Sequence, residues 1–551
     1  KTFLAGCLGG LLSLNSCTNS PDMTDYTAYV NPFIGTGGHG HTFPGAIVPH
    51  GMISPSPDTR IDGWDACSGY YYADSTINGF SHTHLSGTGC CDYGDVLLMP
   101  TVGGQKYLPT GSQSQQMAYA SAFSHQNETA EPGYYSVFLD TYQVKAELTA
   151  SKRAAIHRYT FPESKEAGFI LDLDYSLQRQ TNKEMEIEVI SPTEICGRKK
   201  TMYWAFDQYI NFYAKFSKPF TYTLVTDSMA LDDGGRLLPT CKALLHFDTT
   251  KDEQVFVKVG ISAVDIEGAR KNVETEIPDW DFDGVRKDAR KAWNETLSKI
   301  DITTNDKDDK TIFYTALYHT AISPNLFTDV DGRYLGMDLQ VHQGDTLNPM
   351  YTIFSLWDTF RALHPLMTII DPDLNNAFIR SLIKKHQEGG IFPMWDMASN
   401  YTGTMIGYHA VPVIVDAYMK GDRNFDIQEA YRACVRAAEY DTTGIKCPDL
   451  VLPHLMPKAK YYKNSIGYVP CDRENESVAK ALEYAYDDWC IYKLAKDLKR
   501  PKKEIDLYAK RAMNYKNLFD KETNLMRGKN KDGKFMAPFS PLKWGDAFTE
   551  G

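Results

Sequence analysis

The hydrophobic pattern of this chain changes its period once, and the change constrains the fold more than any other feature of the sequence. Up to about residue 265, apolar residues alternate with polar ones, which is typical of β-strands with one buried face. From about residue 280 they recur every third or fourth position, which is typical of amphipathic helices. The two patterns are seen in Val255, Val257, Val259 and Ile261, and then in Val285, Ala289, Trp293, Leu297 and Ile300.

The length of 551 residues exceeds what one ordinary hydrophobic core covers, so we expect several domains. We predict a sheet-on-sheet β-sandwich over residues 25–265, with Gly and Pro at its turns, and a helical linker over 266–310. The linker should hold a helix over 280–300 and then a solvated loop over 301–310. A helical domain follows over 311–551. Further alternating runs are Val144, Ala146 and Leu148, and then Phe169, Leu171 and Leu173.

Helices dominate the region after residue 310, and helical spacing predicts two of them over 410–420 and 428–440. A third apolar stripe consists of Val478, Leu482, Ala485, Trp489 and Tyr492. Glu476, just before it, can neutralise the positive start of that helix. Successive helices with short breaks suggest an α/α toroid, although periodicity alone does not separate a toroid from another helical array.

The charge balance limits the kind of partner. A net charge of -12 and a pI near 5.7 argue against nucleic acid, because phosphate binding draws on clustered Lys and Arg. A neutral glycan is compatible with this balance. The aromatic content of 12% suits stacking on sugar rings, but large enzymes also carry many core aromatics, so it decides little.

The first 17 residues are typical of a secretory signal, with one cationic residue and a short apolar stretch. Residues 14–17, Leu-Asn-Ser-Cys, are similar to a lipoprotein signal-peptidase box, which would put a lipid anchor on Cys17. The alternative is simple cleavage near Ser16. Either way we expect an exported protein, in the periplasm or outer membrane of a Gram-negative bacterium. The missing initiator Met suggests that the N-terminus is trimmed or incomplete.

Nine of the eleven cysteines lie after this leader. They contain no C-x-x-C pair, so a structural zinc site is not expected. An exported protein permits disulfides, but the odd number leaves at least one thiol free, and the sequence does not assign the pairs.

Several longer motifs occur in one order along the chain. They are residues 29–37 (YVNPFIGTG), 63–65 (GWD), 68–70 (SGY), 81–89 (SHTHLSGTG), 355–361 (SLWDTFR), 389–395 (GGIFPMW), 476–477 (ES), 482–489 (LEYAYDDW) and 548–551 (FTEG). With these motifs the sequence resembles glycoside hydrolase family 92 over nearly its whole length after the leader. The resemblance implies a β-sandwich joined to an (α/α)6 toroid, and a calcium-dependent, inverting exo-α-mannosidase that acts on glycans such as N-glycans or mannans.

The resemblance also implies a catalytic acid. Glu550 matches the Glu of the family's Thr-Glu-Gly motif. A glycosidic oxygen leaves poorly until it is protonated, and a Glu does this near neutral pH when burial raises its pKa. The family's catalytic base, an Asp of an Asn-Asp-Asp type motif, and most calcium ligands would follow residue 551. We therefore expect a C-terminally truncated and inactive chain, in which no metal ligand can be named. Asp487 and Asp488 are adjacent on a helix and point about 100° apart, so a surface or packing role is expected for them.

Three further segments carry candidate substrate-binding residues. Asp358 and Arg361, three positions apart at a helix end next to Trp357, are predicted to grip vicinal sugar hydroxyls; the alternative is an ion pair under a core Trp. The resemblance implies that Trp64 and Asp65 lie on a loop that reaches the active site. Trp395, after two glycines and a proline, is predicted on a loop at the toroid mouth. For each of these Trp residues a core position is the alternative.

Two other functions were weighed. His82 and His84 form an H-x-H pair, with His39, His41 and His50 nearby, which is a weak indication of a metallohydrolase because no carboxylate-rich ligand set follows. The glycines over 35–40 lack the Lys-Ser/Thr ending of a phosphate loop and predict a tight turn at the domain interface. A glycan-binding lipoprotein without catalysis is the second alternative.

Overall fold

The structure is a computed structural model that describes residues 24–107, 116–177, 180–231, 237–251, 253–543 and 545–549. An N-terminal β-sandwich precedes a helical region, as the change of period predicts. The predicted leader with Cys17, and the predicted acid Glu550, lie outside the described residues. Within those residues, none of the helices combines the length and apolar character that crossing a membrane requires.

The β-sandwich consists of a six-stranded and a nine-stranded antiparallel sheet, in the orders β1-β3-β4-β9-β14-β13 and β10-β11-β12-β15-β8-β7-β6-β5-β2. The strands are β1 (Ser56–Asp58), β2 (Thr76–Ile77), β3 (Gly79–Ser81), β4 (Leu97–Val102), β5 (Ser121–Glu131), β6 (Tyr134–Leu139), β7 (Val144–Ala150), β8 (Ala154–Thr160), β9 (Ala167–Asp172), β10 (Thr181–Ser191), β11 (Glu194–Met202), β12 (Gln208–Phe216), β13 (Thr221–Leu231), β14 (Leu237–Phe247) and β15 (Gln254–Ser262).

The core of the sandwich lies between the two sheets. Leu98 and Phe169 of the smaller sheet and Val137 and Leu148 of the larger one belong to one buried apolar cluster. The alternating residues that predicted the strands are all buried: Val144, Ala146, Leu148, Phe169, Leu171, Leu173, Val255, Val257, Val259 and Ile261.

Two linker helices cover the outer face of the larger sheet. They are α1 (Ile266–Glu276), capped by Asp265, and α2 (Phe282–Leu297), capped by Asp281. Ala269 of α1 and Phe282 of α2 pack with Ile156 of β8 in a second apolar cluster. The expectation of half-buried strands is therefore wrong for this part of the sheet, because the helices bury its outer side as well.

The loop after α2 is shorter than predicted. It ends at Asp306, whose carboxylate accepts a hydrogen bond from the Asp308 amide at 2.8 Å and caps α3 (Lys307–Thr320). Trp293 of α2 is fully buried and donates its indole N–H to the Ile47 carbonyl at 2.5 Å. This contact fixes the linker against the N-terminal domain.

The helical region also contains short strands. Its elements are β16 (Asn325–Leu326), β17 (Arg333–Leu335), β18 (Val341–Gln343), β19 (Tyr351–Thr352), β20 (Phe354–Ser355), α4 (Leu356–Thr359), α5 (Leu363–Ile370), α6 (Pro372–Gly389), β21 (Trp395–Met397), β22 (Asn400–Tyr401), α7 (Ala410–Lys420), α8 (Ile427–Ala438), α9 (Leu452–Leu455), α10 (Lys458–Ile466), α11 (Ser477–Asp497), α12 (Lys502–Arg511), β23 (Phe519–Asp520) and β24 (Leu525–Met526). Helices α7 and α8 confirm the two helices predicted there, whereas the six-fold toroid stays a prediction.

The predicted stripe of α11 needs a correction. Val478 and Ala485 are buried as expected, but Trp489 is 44% exposed. Asp487 and Asp488 are fully buried instead. The helix is therefore rotated relative to the predicted stripe, because these two carboxylates have polar partners inside the helical region.

The two domains are held together by direct hydrogen bonds. The His50 Nδ1–H donates to the Pro324 carbonyl at 2.8 Å, and the Asn400 side chain and the Asp207 backbone exchange two bonds of 3.0 Å. Ser262 at the end of β15 donates to Asp329 at 2.6 Å. Satisfied polar contacts of this kind fix the relative position of the domains.

Candidate active site

A cleft of about 280 Å³ lies where the β-sandwich meets the helical region. The β-sandwich contributes residues 86–88, and the end of α3 contributes His319 and Thr320. The helical region contributes Asp358 and Trp395. The motif over 81–89 thus runs from the buried sandwich core to the wall of the cleft.

Asp358 lies on α4, a single helical turn, and its exposed side chain borders the cleft. The Ser355 hydroxyl donates a hydrogen bond to its carboxylate. Next to it, the Trp357 indole N–H is buried and has no hydrogen-bond partner among the residues that the structure describes. Because its carboxylate is exposed and borders the cleft, Asp358 is available to a ligand from the cleft side.

Arg361 lies two residues after the end of α4, and among the described residues its ion-pair partner is not Asp358. Its guanidinium instead bonds to Glu483 of α11 at 2.5 Å and lies 4.5 Å from the centre of the Phe360 ring. The alternative of an Asp358–Arg361 ion pair is therefore wrong, because Glu483 takes the place of Asp358, and the predicted grip on sugar hydroxyls stays a prediction.

Glu483 faces a second residue that the sequence analysis did not identify. His409, at the start of α7, lies with Nε2 3.5 Å from the Glu483 carboxylate, and its Nδ1–H donates to Asp487 at 2.9 Å. The imidazole stacks on Phe360 at 4.0 Å. The buried Asp487 thus orients His409 toward Glu483. The quoted motif over 482–489 contains both acids, but sequence spacing gave no signal for His409.

Asp487 and Asp488 do not fit a calcium shell, which needs six to eight oxygen ligands. Asp487 already accepts bonds from His409 and from the Tyr408 amide, and Asp488 bonds to Lys463 at 2.7 Å and to the Tyr408 hydroxyl at 2.7 Å. Burial raises the pKa of Asp488, although Lys463 opposes this. These carboxylates pack helices together, one of the two roles predicted for them.

The end of the described chain lies against the start of α11. The Val478 amide donates to the Ala547 carbonyl at 2.9 Å, and the Thr549 hydroxyl donates to Glu476 at 2.7 Å. Glu476 has a left-handed backbone, with φ of 55°. The residue that precedes Glu550 is therefore anchored to the helix that carries Glu483, and Glu476 binds this segment rather than simply neutralising the helix start.

Trp64 and Asp65 form a 3-10 turn (Trp64–Ala66) at the rim of the cleft. Trp64 is 58% exposed, and its ring leaves no room for a side chain at Gly89, which follows the cleft-lining residues 86–88. The Asp65 carboxylate accepts a 2.7 Å hydrogen bond from His39 Nδ1. Both residues thus lie beside the cleft, and Trp64 has a free face.

Trp395 lies on strand β21 and not on a loop. Its side chain is 1% exposed and packs edge-on against Trp204 at 5.9 Å, within an apolar cluster that joins the two domains. It borders the cleft as part of the domain interface. The predicted loop position is wrong, because the chain after Pro393 pairs with β20.

His319 is a further residue of the cleft that the sequence did not indicate. Burial lowers the pKa of its imidazole to about 4, so it is neutral near pH 7. Its Nε2 has no hydrogen-bond partner within the described part of the chain. His319 and Asp358 thus line the same cleft, one as a neutral imidazole and the other as an exposed carboxylate.

The H-x-H pair belongs to the sandwich core. His82 bonds to the Val96 carbonyl at 2.6 Å and to His157 at 3.2 Å. His84 bonds to the Ser54 carbonyl at 2.7 Å and to Asp58 at 2.9 Å. Because both nitrogens of each ring have protein partners, this pair is not a metal site.

Fold and site together define a two-domain protein with a cleft between a β-sandwich and a helical region. The sequence profile of the glycosyl hydrolase family 92 N-terminal domain matches residues 29–262, and that of the family's catalytic domain matches 268–551. The chain belongs to glycosyl hydrolase family 92.

Solved structures of this family are similar to the chain. A family GH92 α-mannosidase from Bacteroides thetaiotaomicron in complex with mannoimidazole is 36% identical, with a TM-score of 0.88, over 96% of this chain and 70% of that one. A family GH92 inverting mannosidase from the same organism is 30% identical, with a TM-score of 0.83, over the same shares of 96% and 70%.

A curated relative was also found. An uncharacterized secreted glycosidase of Arthroderma benhamiae is 26% identical over 573 aligned positions, which cover 94% of this chain. The chain spans 65% of the length of that relative.

Proposed function

We propose that the full-length protein is an exo-acting α-mannosidase that hydrolyses terminal α-mannosides with inversion at the anomeric carbon. The observation that carries the proposal is the interdomain cleft, which is lined by the exposed Asp358 and by the neutral His319. Its support from the family is an α-mannosidase of 36% identity whose structure holds mannoimidazole. Mannose-containing glycans, such as N-glycans or mannans, are the proposed substrates.

The proposed reaction is a single displacement. Glu550 protonates the leaving oxygen while a water molecule, activated by a base, attacks C1 from the opposite face. The two carboxyl groups of such an enzyme stand about 6.5–9.5 Å apart to admit this water. The anchoring of Thr549 to Glu476 supports the assignment, because it gives the backbone before Glu550 a fixed position. By the resemblance, the base follows residue 551.

Asp358 is proposed to accept hydrogen bonds from mannose hydroxyls in the subsite of the non-reducing end. Arg361 contributes less directly, since Glu483 already neutralises its charge. We propose that the Arg361–Glu483 pair, with Trp357 beside it, forms one wall of this subsite, and that the exposed ring of Trp64 contacts the sugar on the leaving-group side.

Calcium is expected from the resemblance, but Asp487 and Asp488 do not fit its shell. Asp487 and Asp488 are occupied by protein donors. We assign no step to calcium, and propose only that a chelator lowers the activity of the full-length protein.

Export is proposed on the leader sequence, and a secreted relative supports it. The finer proposal is a lipid anchor at Cys17 in a Gram-negative envelope. Metabolic labelling with a fatty acid should mark the wild-type protein and not the Cys17→Ala variant.

The test is mannose release from α-1,2-, α-1,3-, α-1,4- and α-1,6-mannobiosides by the full-length protein, with calcium or with chelator. Release from at least one of them supports the proposal. Binding of these sugars without release would favour the alternative, a non-catalytic glycan-binding lipoprotein.

A further inference from the structure

We propose that His39, His41 and Asp65 bind a divalent cation of the zinc type at the rim of the cleft. One nitrogen of each imidazole and one oxygen of the carboxylate lie within 4.8 Å of one another. Zinc binds His nitrogen and carboxylate oxygen at about 2.0–2.2 Å, so ligand atoms at this spacing can share one ion after small side-chain movements.

The unpartnered ring nitrogen of His41 is the second observation that points to a ligand. Its side chain is only 7% exposed, and its Nε2 has no hydrogen-bond partner among the described residues. A buried polar atom without a partner costs free energy, and a bound ligand would supply the missing partner.

The backbone is shaped to bring these ligands together. A side chain at Gly40 would collide with the Gly35 carbonyl, since its Cβ would lie 2.1 Å from that oxygen. His41 itself has a positive φ of 51°, which is uncommon for a residue other than glycine. This tight turn, which the glycines over 35–40 predict, places two histidines two positions apart beside Asp65.

The donor set selects the kind of metal. Two imidazoles and one carboxylate suit zinc, whereas calcium takes oxygen ligands almost exclusively. The His39 side chain is 76% exposed, so the site has a side that faces solvent, where water or a further ligand can complete the coordination. This site is therefore distinct from the calcium that the family resemblance implies.

The metal would fix the rim of the cleft. His41 packs edge-on against the Trp64 ring at 4.7 Å, and its carbonyl accepts a 2.7 Å bond from the Gly87 amide in the cleft wall. An ion held by His39, His41 and Asp65 would tie the glycine turn to the turn that carries Trp64. We expect zinc to order Trp64, independently of whether the protein cleaves mannosides.

The experiment is a calorimetric titration of ZnCl₂ into the full-length protein, purified without a polyhistidine tag and stripped with chelator. We expect one saturable site, a rise in Tm with zinc, and a change in tryptophan fluorescence. His39→Gln and Asp65→Asn should each weaken zinc affinity by about 100-fold or more. The loss of a residue that only supports a metal ligand costs about 10–100-fold in affinity. His39 is exposed, so its variant should fold normally.

The matched control is His125→Gln. His125 forms a comparable pair with Glu128, at 2.6 Å in the same domain, and it belongs to no group of three ligands found among the described residues. This variant should bind zinc like the wild type. The proposal is overturned if the wild type shows no saturable zinc binding or if both site variants retain it. It is also overturned if Cys67→Ser removes zinc binding, because the Cys67 thiol, 3.1 Å from the Cys91 sulfur, would then be the ligand. The readout needs no mannosidase activity, so it stands apart from the test of the proposed function.

Discussion

Arg361 and Glu483 form a 2.5 Å ion pair that joins the turn after α4 to the middle of α11. Each residue belongs to a different motif, and the chain separates them by 122 positions. The same glutamate lies 3.5 Å from His409, which Asp487 orients from the other side. The motifs over 355–361 and 482–489 therefore contact each other through the Glu483 carboxylate.

Glu483→Gln should lower kcat/KM on mannobiosides by about 10-fold or more, because it loosens the proposed subsite wall, and a misplacement of about 1 Å can cost about 100-fold in rate. Stability should fall by less than about 1 kcal/mol, because Arg361 is 48% exposed and such pairs contribute little. Steady-state kinetics and urea unfolding measure the two effects. Asp506→Asn, which breaks the exposed 2.8 Å pair with Lys502 on α12, is the control and should change neither. An unchanged kcat/KM for Glu483→Gln would remove this pair from the site.

Asp358→Asn should weaken the binding of mannoimidazole by about 10-fold or more, since its carboxylate is exposed in the cleft and a charged hydrogen bond would be lost. Isothermal titration measures the affinity, and the Tm should stay close to that of the wild type. Trp357→Ala should also weaken binding. Asp373→Asn, an exposed carboxylate at the start of α6, is the control. If both site variants lose affinity only under conditions in which they also lose stability, these residues are structural and do not bind the sugar.

Acid should destabilise the β-sandwich through buried histidines. Burial lowers the pKa of His82 to about 4 and that of His157 well below its usual value. Because unfolding restores a pKa of about 6.5, the stability that His82 contributes is present above pH 6.5 and is lost as the pH falls toward 4.

The variant that tests this is His157→Gln. Its free energy of unfolding should fall less steeply between pH 6.5 and 4, by about 1.4 kcal/mol per pH unit, because one group that takes up a proton on unfolding is gone. Urea unfolding at a series of pH values measures the slope. Comparison with the wild type cancels the contribution of buried carboxylates, and His125→Gln, at a partly exposed position, should keep the wild-type slope. Equal slopes for His157→Gln and the wild type would contradict the prediction.

Glu550→Gln should lower turnover on mannobiosides by about 100-fold or more, the usual contribution of a positioned acid. Aryl mannosides with good leaving groups should be affected less, because their leaving oxygen needs less protonation. The ratio of the two losses in the full-length protein is the measurement. Equal losses on both substrates would show that Glu550 is not the acid.

The change from strands to helices along the chain could be predicted, because hydrophobic periodicity is a local property of the sequence. Helix α7 has the predicted bounds, Ala410–Lys420, since its apolar run ends at Gly421, which adopts the left-handed cap. Helix α11 was predicted in the right place but with the wrong face, because Trp489 was assigned to the buried stripe and the two adjacent carboxylates were not. Their partners Lys463 and Tyr408 are distant in sequence, and no local pattern reveals them.

The site residues could be predicted only as motif members. Their partners depend on tertiary contacts: Arg361 turns to Glu483 instead of Asp358, and Trp395 is buried against Trp204 in the domain interface. Trp64 packs against Gly89, next to the cleft-lining residues 86–88, and its contact with a substrate stays a prediction. His319 and His409 carry no sequence signal, because single histidines in helical segments are common.

The most direct test of the proposed inverting α-mannosidase is proton NMR of an α-mannobioside during hydrolysis by the full-length protein. The account predicts that β-mannose is released first, and that α-mannose grows in later by mutarotation. Release of α-mannose as the first product would contradict the single displacement, and absence of mannose release from all four linkages would contradict the proposed function itself.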